Sequence, residues 1–197
     1  MSEFSVEERH PEQISRLVKT VVTPRPIAWI SSVDADGAEN LAPFSSYNYV
    51  CLHPPVVVFN SPSEASGRMK DTARNALDTE EFAVNVVTAE HLETMDLTSK
   101  ALPPGESEFE LADVERAECR TIAAPRVADA AATLECTLYD AIEVYEKVMI
   151  LGEVRYVHLD DDATMDGKVD SRKLDTVGRL GGPYYTVSHP TEFERQF

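Results

Sequence analysis

Four short stretches combine residue types suited to holding a polar ring and a phosphate. Thr23-Pro-Arg-Pro-Ile-Ala-Trp29 sets Arg25 between two prolines, which fix the backbone on either side, and follows it with the only tryptophan, Trp29. Ala42-Pro-Phe-Ser-Ser-Tyr-Asn48 interleaves Ser45, Ser46 and Asn48 with aromatic residues. Hydroxyl and amide groups can hydrogen-bond the edge of a heterocycle while aromatic rings line its pocket. Ser61 to Thr72 carries several serines, then Arg68, Lys70, Asp71 and Thr72, just ahead of a helical pattern. Free N–H groups at a helix start, beside cationic side chains, make a phosphate site. Gly178 to Tyr185 packs three glycines, a proline, Tyr184 and Tyr185 together, the composition of a loop laid against a ligand, a partner chain or its own barrel.

Each stretch also has a plainer account. Trp29 can be a core residue after an ordinary strand start. Ser45, Ser46 and Asn48 can be a polar strand edge. Arg68 and Lys70 can pair with neighbouring acids. No side chain stands out as a catalytic acid, base or nucleophile. There is no GxGxxG, no GxxxxGK[ST] and no GxSxG, so a Rossmann site, a P-loop and a nucleophile elbow lack support. The three cysteines, Cys51, Cys119 and Cys136, are odd in number and form no CxxC. That spacing predicts no disulfide framework, a reducing cytoplasmic compartment, buried free thiols at Cys51 and Cys136, and no metal centre. The acidic stretch Asp160–Asp170 lacks the ligand spacing of a calcium loop and reads as solvated.

The elements that must position these stretches are mostly strands. Ile27–Val33 reads as a strand, Gly37 as a turn residue with positive φ, and a second strand follows through Leu41. Pro55–Asn60 and Glu81–Val87 are short apolar runs, and Ala132–Tyr145 and Val148–Leu159 form a long hairpin. Helices are expected from about Asp71, as N-cap, to Leu77, and from about Ala89 to Leu97. Many strands without βαβ alternation predict an antiparallel β-barrel with peripheral helices.

Acidic residues number 35 against 18 basic, a formal charge of −17 over 197 residues. Such a chain repels phosphate backbones and anionic lipid, which argues against nucleic-acid and membrane partners. The N-terminal sequence has no apolar core of a secretion signal, and no run is long enough to span a bilayer. With 12 Arg and only 6 Lys, the acidic composition suggests adaptation to high salt.

In sequence order, PRPIAW, NLAPFSSYN, HPPVVVF, KDTARN, EFAVNVV and GRLGGPYY resemble the flavin reductase-like FMN-binding split-barrel family. That family includes reductase components of two-component monooxygenases and the flavoredoxins. The resemblance runs from about Thr20 to Tyr185. It implies one domain over residues 1–197 with its core at about 20–185, a mainly β fold with a six-stranded antiparallel Greek-key FMN-binding split barrel, and a homodimer with flavin near the interface. It places Trp29 beside the flavin, Ser45, Ser46 and Asn48 at the ring and ribityl groups, and Lys70, Asp71 and Thr72 at the ribityl or phosphate end. Arg25 and Tyr184 are further contacts. The implied function is an NAD(P)H:flavin oxidoreductase that uses FMN rather than FAD and passes electrons to free flavin, a partner monooxygenase or an electron-transfer protein. The alternatives are a non-catalytic, flavoredoxin-like FMN electron carrier and a pyridoxamine phosphate oxidase-like enzyme. Some nicotinamide-using members carry Gly-Asp-His where this chain has Gly181-Gly182-Pro183-Tyr184, which leaves nicotinamide use open.

Overall fold

The computed structural model describes residues 3–67, 69–103, 105–165, 167–193 and 195–196. Arg68 therefore lies outside the described residues. Seven strands form one antiparallel sheet: β1 (Ala28–Val33), β2 (Glu39–Phe44), β3 (Tyr47–Leu52), β4 (Pro55–Pro62), β5 (Glu81–Val86), β6 (Ala132–Val144) and β7 (Lys147–Leu159). Their order is β2-β1-β5-β6-β7-β4-β3.

That order forces a barrel. In a flat sheet the outermost strands β2 and β3 would stand about 29 Å apart, at about 4.8 Å per strand. Yet only Ser45 and Ser46 separate Phe44 from Tyr47, and three Cα steps reach at most about 11 Å. The sheet must curl until its edges meet at this turn. The sequence reading expected six barrel strands. The seventh is β3, a strand its aromatic and polar composition disguised as a loop.

The barrel interior holds Ile30, Phe44, Val57, Phe59, Phe82, Val84, Cys136 and Ile150, with Phe59 meeting Phe44 at a tilt and Phe82 edge to face. Gly152 of β7 is required there, since a Cβ at that position would come within 2.3 Å of Phe82. Helix α2 (Asp71–Asp78) presses Ala73 and Ala76 onto this core, both without accessible surface. Its N-cap is Lys70 rather than Asp71, which is the first helical residue.

The outer face of β1 and β2 builds a second core from Trp29, Leu41, Val87, Met95, Phe109 and Val127. Helices α3 (Leu92–Leu97) and α4 (Glu108–Leu111) supply Met95 and Phe109 to it. Outside the barrel, Arg25–Pro26, Val177–Arg179 and Tyr185–Val187 make a small sheet. Helix α1 (Pro11–Val21) had no counterpart in the sequence reading. Its signals were Pro11 at the first turn and the Ile14, Leu17, Val18, Val21 spacing. None of its residues is buried. Among the cysteines Cys136 is buried as expected, whereas Cys51 is exposed because it sits on the edge strand β3.

Candidate functional site

Two concavities collect most of the residues singled out from sequence. The first, about 270 Å³, lies between β2, the start of α2 and the segment after α3. Lys70, Asp71 and Thr72 line it, together with Asn40, Thr98 and Glu108. The Lys70 ammonium lies over the Phe44 ring, 5.1 Å from its centre, and no carboxylate comes within ion-pair distance of it among the described residues. Lys70 is open to the cavity but crowded on its other sides. That desolvation lowers its pKa, the Glu108 charge acts against the shift, and Lys147 adds to it.

The helix start supplies the rest. No side chain caps α2, while Ala73 and Arg74 send their N–H groups back to the Lys70 carbonyl. The N–H groups of Asp71 and Thr72 are left facing the helix entrance, at the positive end of its dipole. Thr72 is buried and its hydroxyl accepts from the Asn40 amide at 2.7 Å, which locks β2 to α2. Asp71 turns away to pair with Arg74 at 3.0 Å. Glu108, buried, accepts the Leu41 N–H at 3.0 Å, and its pKa is raised by desolvation against the pull of that bond. Nearby in sequence, the buried hydroxyls of Ser61 and Ser63 have no hydrogen-bond partner.

The second concavity, about 600 Å³, is a groove beside the barrel's closing turn. Arg25, Ser45 and Ser46 line it with Arg16, Lys19 and Arg179. Four cations here contrast with a chain of charge −17. Arg25 is spent on structure: its guanidinium donates to the carbonyls of Ser45, Lys19, Val22 and Leu180, tying α1, the closing turn and the C-terminal loop together. The Ser46 hydroxyl donates to the Asn60 carbonyl across the strand pair.

Three sequence candidates fall elsewhere. Trp29 has no accessible surface, and its indole N–H donates to Thr98 Oγ1 at 2.9 Å, so it reaches the first cavity only through Thr98. Asn48 is exposed and accepts its neighbour's backbone N–H. Tyr184 is exposed in the glycine loop and lines neither concavity. Sequence reasoning missed Asn40, Thr98 and Glu108. Asn40 begins the NLAPFSSYN motif and was legible; Thr98 and Glu108 arrive from distant helices and carried no local signal.

The profile of the flavin reductase like domain matches residues 21–173. The chain belongs to this family. An uncharacterized protein of Aquifex aeolicus is 38% identical over 184 residues, covering 93% of this chain and 94% of that protein. The crystal structure of nitrilotriacetate monooxygenase component B from Bacillus cereus superposes with a TM-score of 0.92 at 29% identity, covering 99% of this chain and 98% of that one. The 2-nitrobenzoate 2-nitroreductase NbaA of Pseudomonas fluorescens superposes with a TM-score of 0.85 at 28% identity over the full length of both chains. The split barrel is thus shared throughout, and the family is one of flavin-dependent oxidoreductases.

Proposed function

We propose that the protein binds FMN non-covalently and works as an NAD(P)H:flavin oxidoreductase that hands electrons to free flavin or to a partner protein. One observation carries the cofactor choice: an unpaired lysine, two uncapped helix N–H groups and a locked Thr72 converge on one cavity at the positive end of α2. A terminal phosphate monoester fits that constellation better than the bridging pyrophosphate of FAD. From Asn40 to Ser45 the strand β2 runs about 17 Å, at about 3.3 Å per residue, and connects the phosphate-type cavity to the cationic groove. Ser45 and Ser46 are the polar groups of the NLAPFSSYN motif available to the ring end.

Flavin, when bound, supplies the hydride and single-electron chemistry. The residues of this chain bind and orient: Lys70 neutralises phosphate charge, Asn40 holds Thr72, and Arg25 fixes the loops around the groove. The relation to a monooxygenase component and to a nitroreductase supports an electron-delivering role. A homodimer is part of the reading. Helix α1 leaves Leu17, Val18 and Val21 exposed, and the edge strand β3 exposes Tyr49, Val50 and Leu52 at 53–64%. A second subunit would cover both.

The pure carrier is the second reading, favoured by the exposed Gly182-Pro183-Tyr184 loop, which offers no histidine. Two measurements decide. Chromatography of the cofactor released on denaturation, after reconstitution with FMN and FAD together, should return FMN; FAD alone would overturn the cofactor assignment. Anaerobic stopped-flow mixing of the FMN form with NADH and with NADPH should bleach the flavin absorbance. Bleaching by dithionite but by neither nucleotide would establish the carrier instead.

A further inference from the structure

Away from both concavities, three chain segments bring Cys119, Glu135 and His158 together. The thiol, one carboxylate oxygen and one imidazole nitrogen lie within 4.8 Å of one another. Glu135 projects from β6 and is fully buried; His158 projects from the neighbouring strand β7; Cys119 comes from the loop that crosses them. The carboxylate is held firmly: Arg120 N–H donates to Oε1 at 2.6 Å, Thr121 N–H to Oε2 at 2.6 Å, and the Thr121 hydroxyl to Oε2 at 2.5 Å. His158 Nε2 meets Oε1 at 2.5 Å. Of these four donors three come from the loop, two of them backbone N–H groups and one the Thr121 hydroxyl, and the imidazole on the neighbouring strand is the one an ion can replace.

We propose that Cys119, Glu135 and His158 bind a divalent ion of the zinc class, with water in the fourth position. The donor set is the argument. Sulfur, imidazole nitrogen and carboxylate oxygen together select zinc over magnesium or calcium, which take oxygen alone. Tetrahedral zinc with bonds of about 2.0–2.3 Å separates its ligand atoms by roughly 3.3–3.7 Å. The His158–Glu135 contact must open by about 1 Å, and the widest pair close by about as much, both within reach of side-chain rotation. On binding, the thiol proton leaves to solvent and a zinc–sulfur bond forms. The proton that His158 Nε2 shares with Glu135 moves to Nδ1 or, if Nδ1 already carries one, to solvent, so the ring keeps one proton on Nδ1 and turns the Nε2 lone pair to the ion. The N–H groups of Arg120 and Thr121 then serve as outer hydrogen bonds that orient the carboxylate, the support that metal-ligating carboxylates usually have. A depression of about 400 Å³, lined by Cys119 with Glu118 and the Arg116–Glu39 ion pair, opens onto the thiol side of the cluster.

Cobalt reports the site directly, because a thiolate bound to Co²⁺ gives an intense near-ultraviolet charge-transfer band. Chelator-treated protein titrated with Co²⁺ should develop that band with about one equivalent per chain, and Zn²⁺ should erase it. Cys119→Ser should abolish the band, and His158→Gln should weaken zinc binding by about a hundredfold or more, measured against a chromophoric chelator. Circular dichroism verifies that both variants fold. The absence of a thiolate band in the native protein overturns the proposal without any variant. A band that survives in Cys119→Ser overturns it too, since Cys51 would then be the ligand.

Discussion

The Lys70 cavity and the Cys119–Glu135–His158 cluster both place charged groups against the barrel, yet they treat them in opposite ways. At Lys70 the charge has no ion-pair partner among the described residues, and no side chain caps the helix start. At Glu135 both carboxylate oxygens are filled by the chain itself. The first region leaves a cation and a helix start open to an anion. The second holds the fold together as it stands, and a metal ion would replace one proton-bridged contact rather than fill a void. The difference predicts that substitutions will separate: those at the cluster should act on stability, and those at the cavity on ligand binding.

The largest effect should come from Glu135→Ala. It strands the N–H groups of Arg120 and Thr121 and the His158 imidazole, and such losses cost about 3–5 kcal/mol. Urea unfolding followed by circular dichroism should show that drop. A loss below 1 kcal/mol, by the same order-of-magnitude scale, would mean that the loop does not depend on this anchor.

The same carboxylate sets an acid limit. Burial alone would raise its pKa, but the bonds from Thr121, Arg120 and His158 outweigh burial and lower it from 4.5 to about 2. A carboxylate with a depressed folded pKa stabilises the protein above its unfolded value and loses that contribution as pH falls through the folded one. Stability should therefore fall between about pH 4.5 and 2. Glu135→Gln should flatten that slope in melts across the window.

At the cavity, Lys70→Ala should leave the melting temperature nearly unchanged and weaken FMN binding. A charge-assisted contact contributes about 1.5–3 kcal/mol, so affinity should fall roughly tenfold or more in a flavin-quenching titration. Parental affinity in the variant would make Lys70 a surface charge and return the phosphate to the Arg16, Lys19 and Arg179 groove.

Legibility from sequence follows the same divide. Much of the cavity comes from contiguous motifs: KDT supplies a lysine and a helix start within three residues, and NLAPFSSYN supplies Asn40 to it and Ser45 and Ser46 to the groove, while Thr98 and Glu108 arrive from elsewhere. The Glu135 cluster does not, since residues 119, 135 and 158 meet only through the pairing of β6 with β7 and the packing of a loop on them. No local ligand spacing can show that, which is why metal binding found no support in the sequence. Trp29 sits differently from its motif neighbours. Its position within PRPIAW suggested a ring beside the flavin, but alternation along β1 turns it to the outer core, with Ala28 and Ile30 inside the barrel. Helix α1 was missed because its apolar stripe covers nothing within the chain.

Salt should pull the two kinds of electrostatics apart. The −17 charge repels itself, and screening shortens its reach from about 10 Å at 0.1 M to about 3 Å at 1 M. Thermal midpoints should rise through a potassium chloride series while FMN affinity falls a few-fold, because the same ions compete with Lys70 for phosphate. Midpoints that stay flat would remove the case for salt adaptation, and an affinity that rises with salt would show that global repulsion of the phosphate outweighs the local attraction.

The smallest effect tests the boundary between core and cavity. Thr98 lines the cavity, accepts the Trp29 indole N–H, and donates its own hydroxyl to the Met95 carbonyl at the end of α3. Thr98→Val keeps the shape and removes both bonds, leaving a buried indole donor unpaired at a cost of about 1–2 kcal/mol. If Trp29 is a core residue, stability should drop by that amount and FMN affinity should change less than about threefold, since only a fraction of 1.4 kcal/mol reaches the ligand. The single tryptophan gives a clean signal: its emission should shift when the indole loses its partner, in the absence of flavin as well as in its presence. A tenfold loss of FMN affinity with unchanged stability would reverse the assignment, and would make Thr98 and Trp29 part of the flavin site rather than the wall behind it.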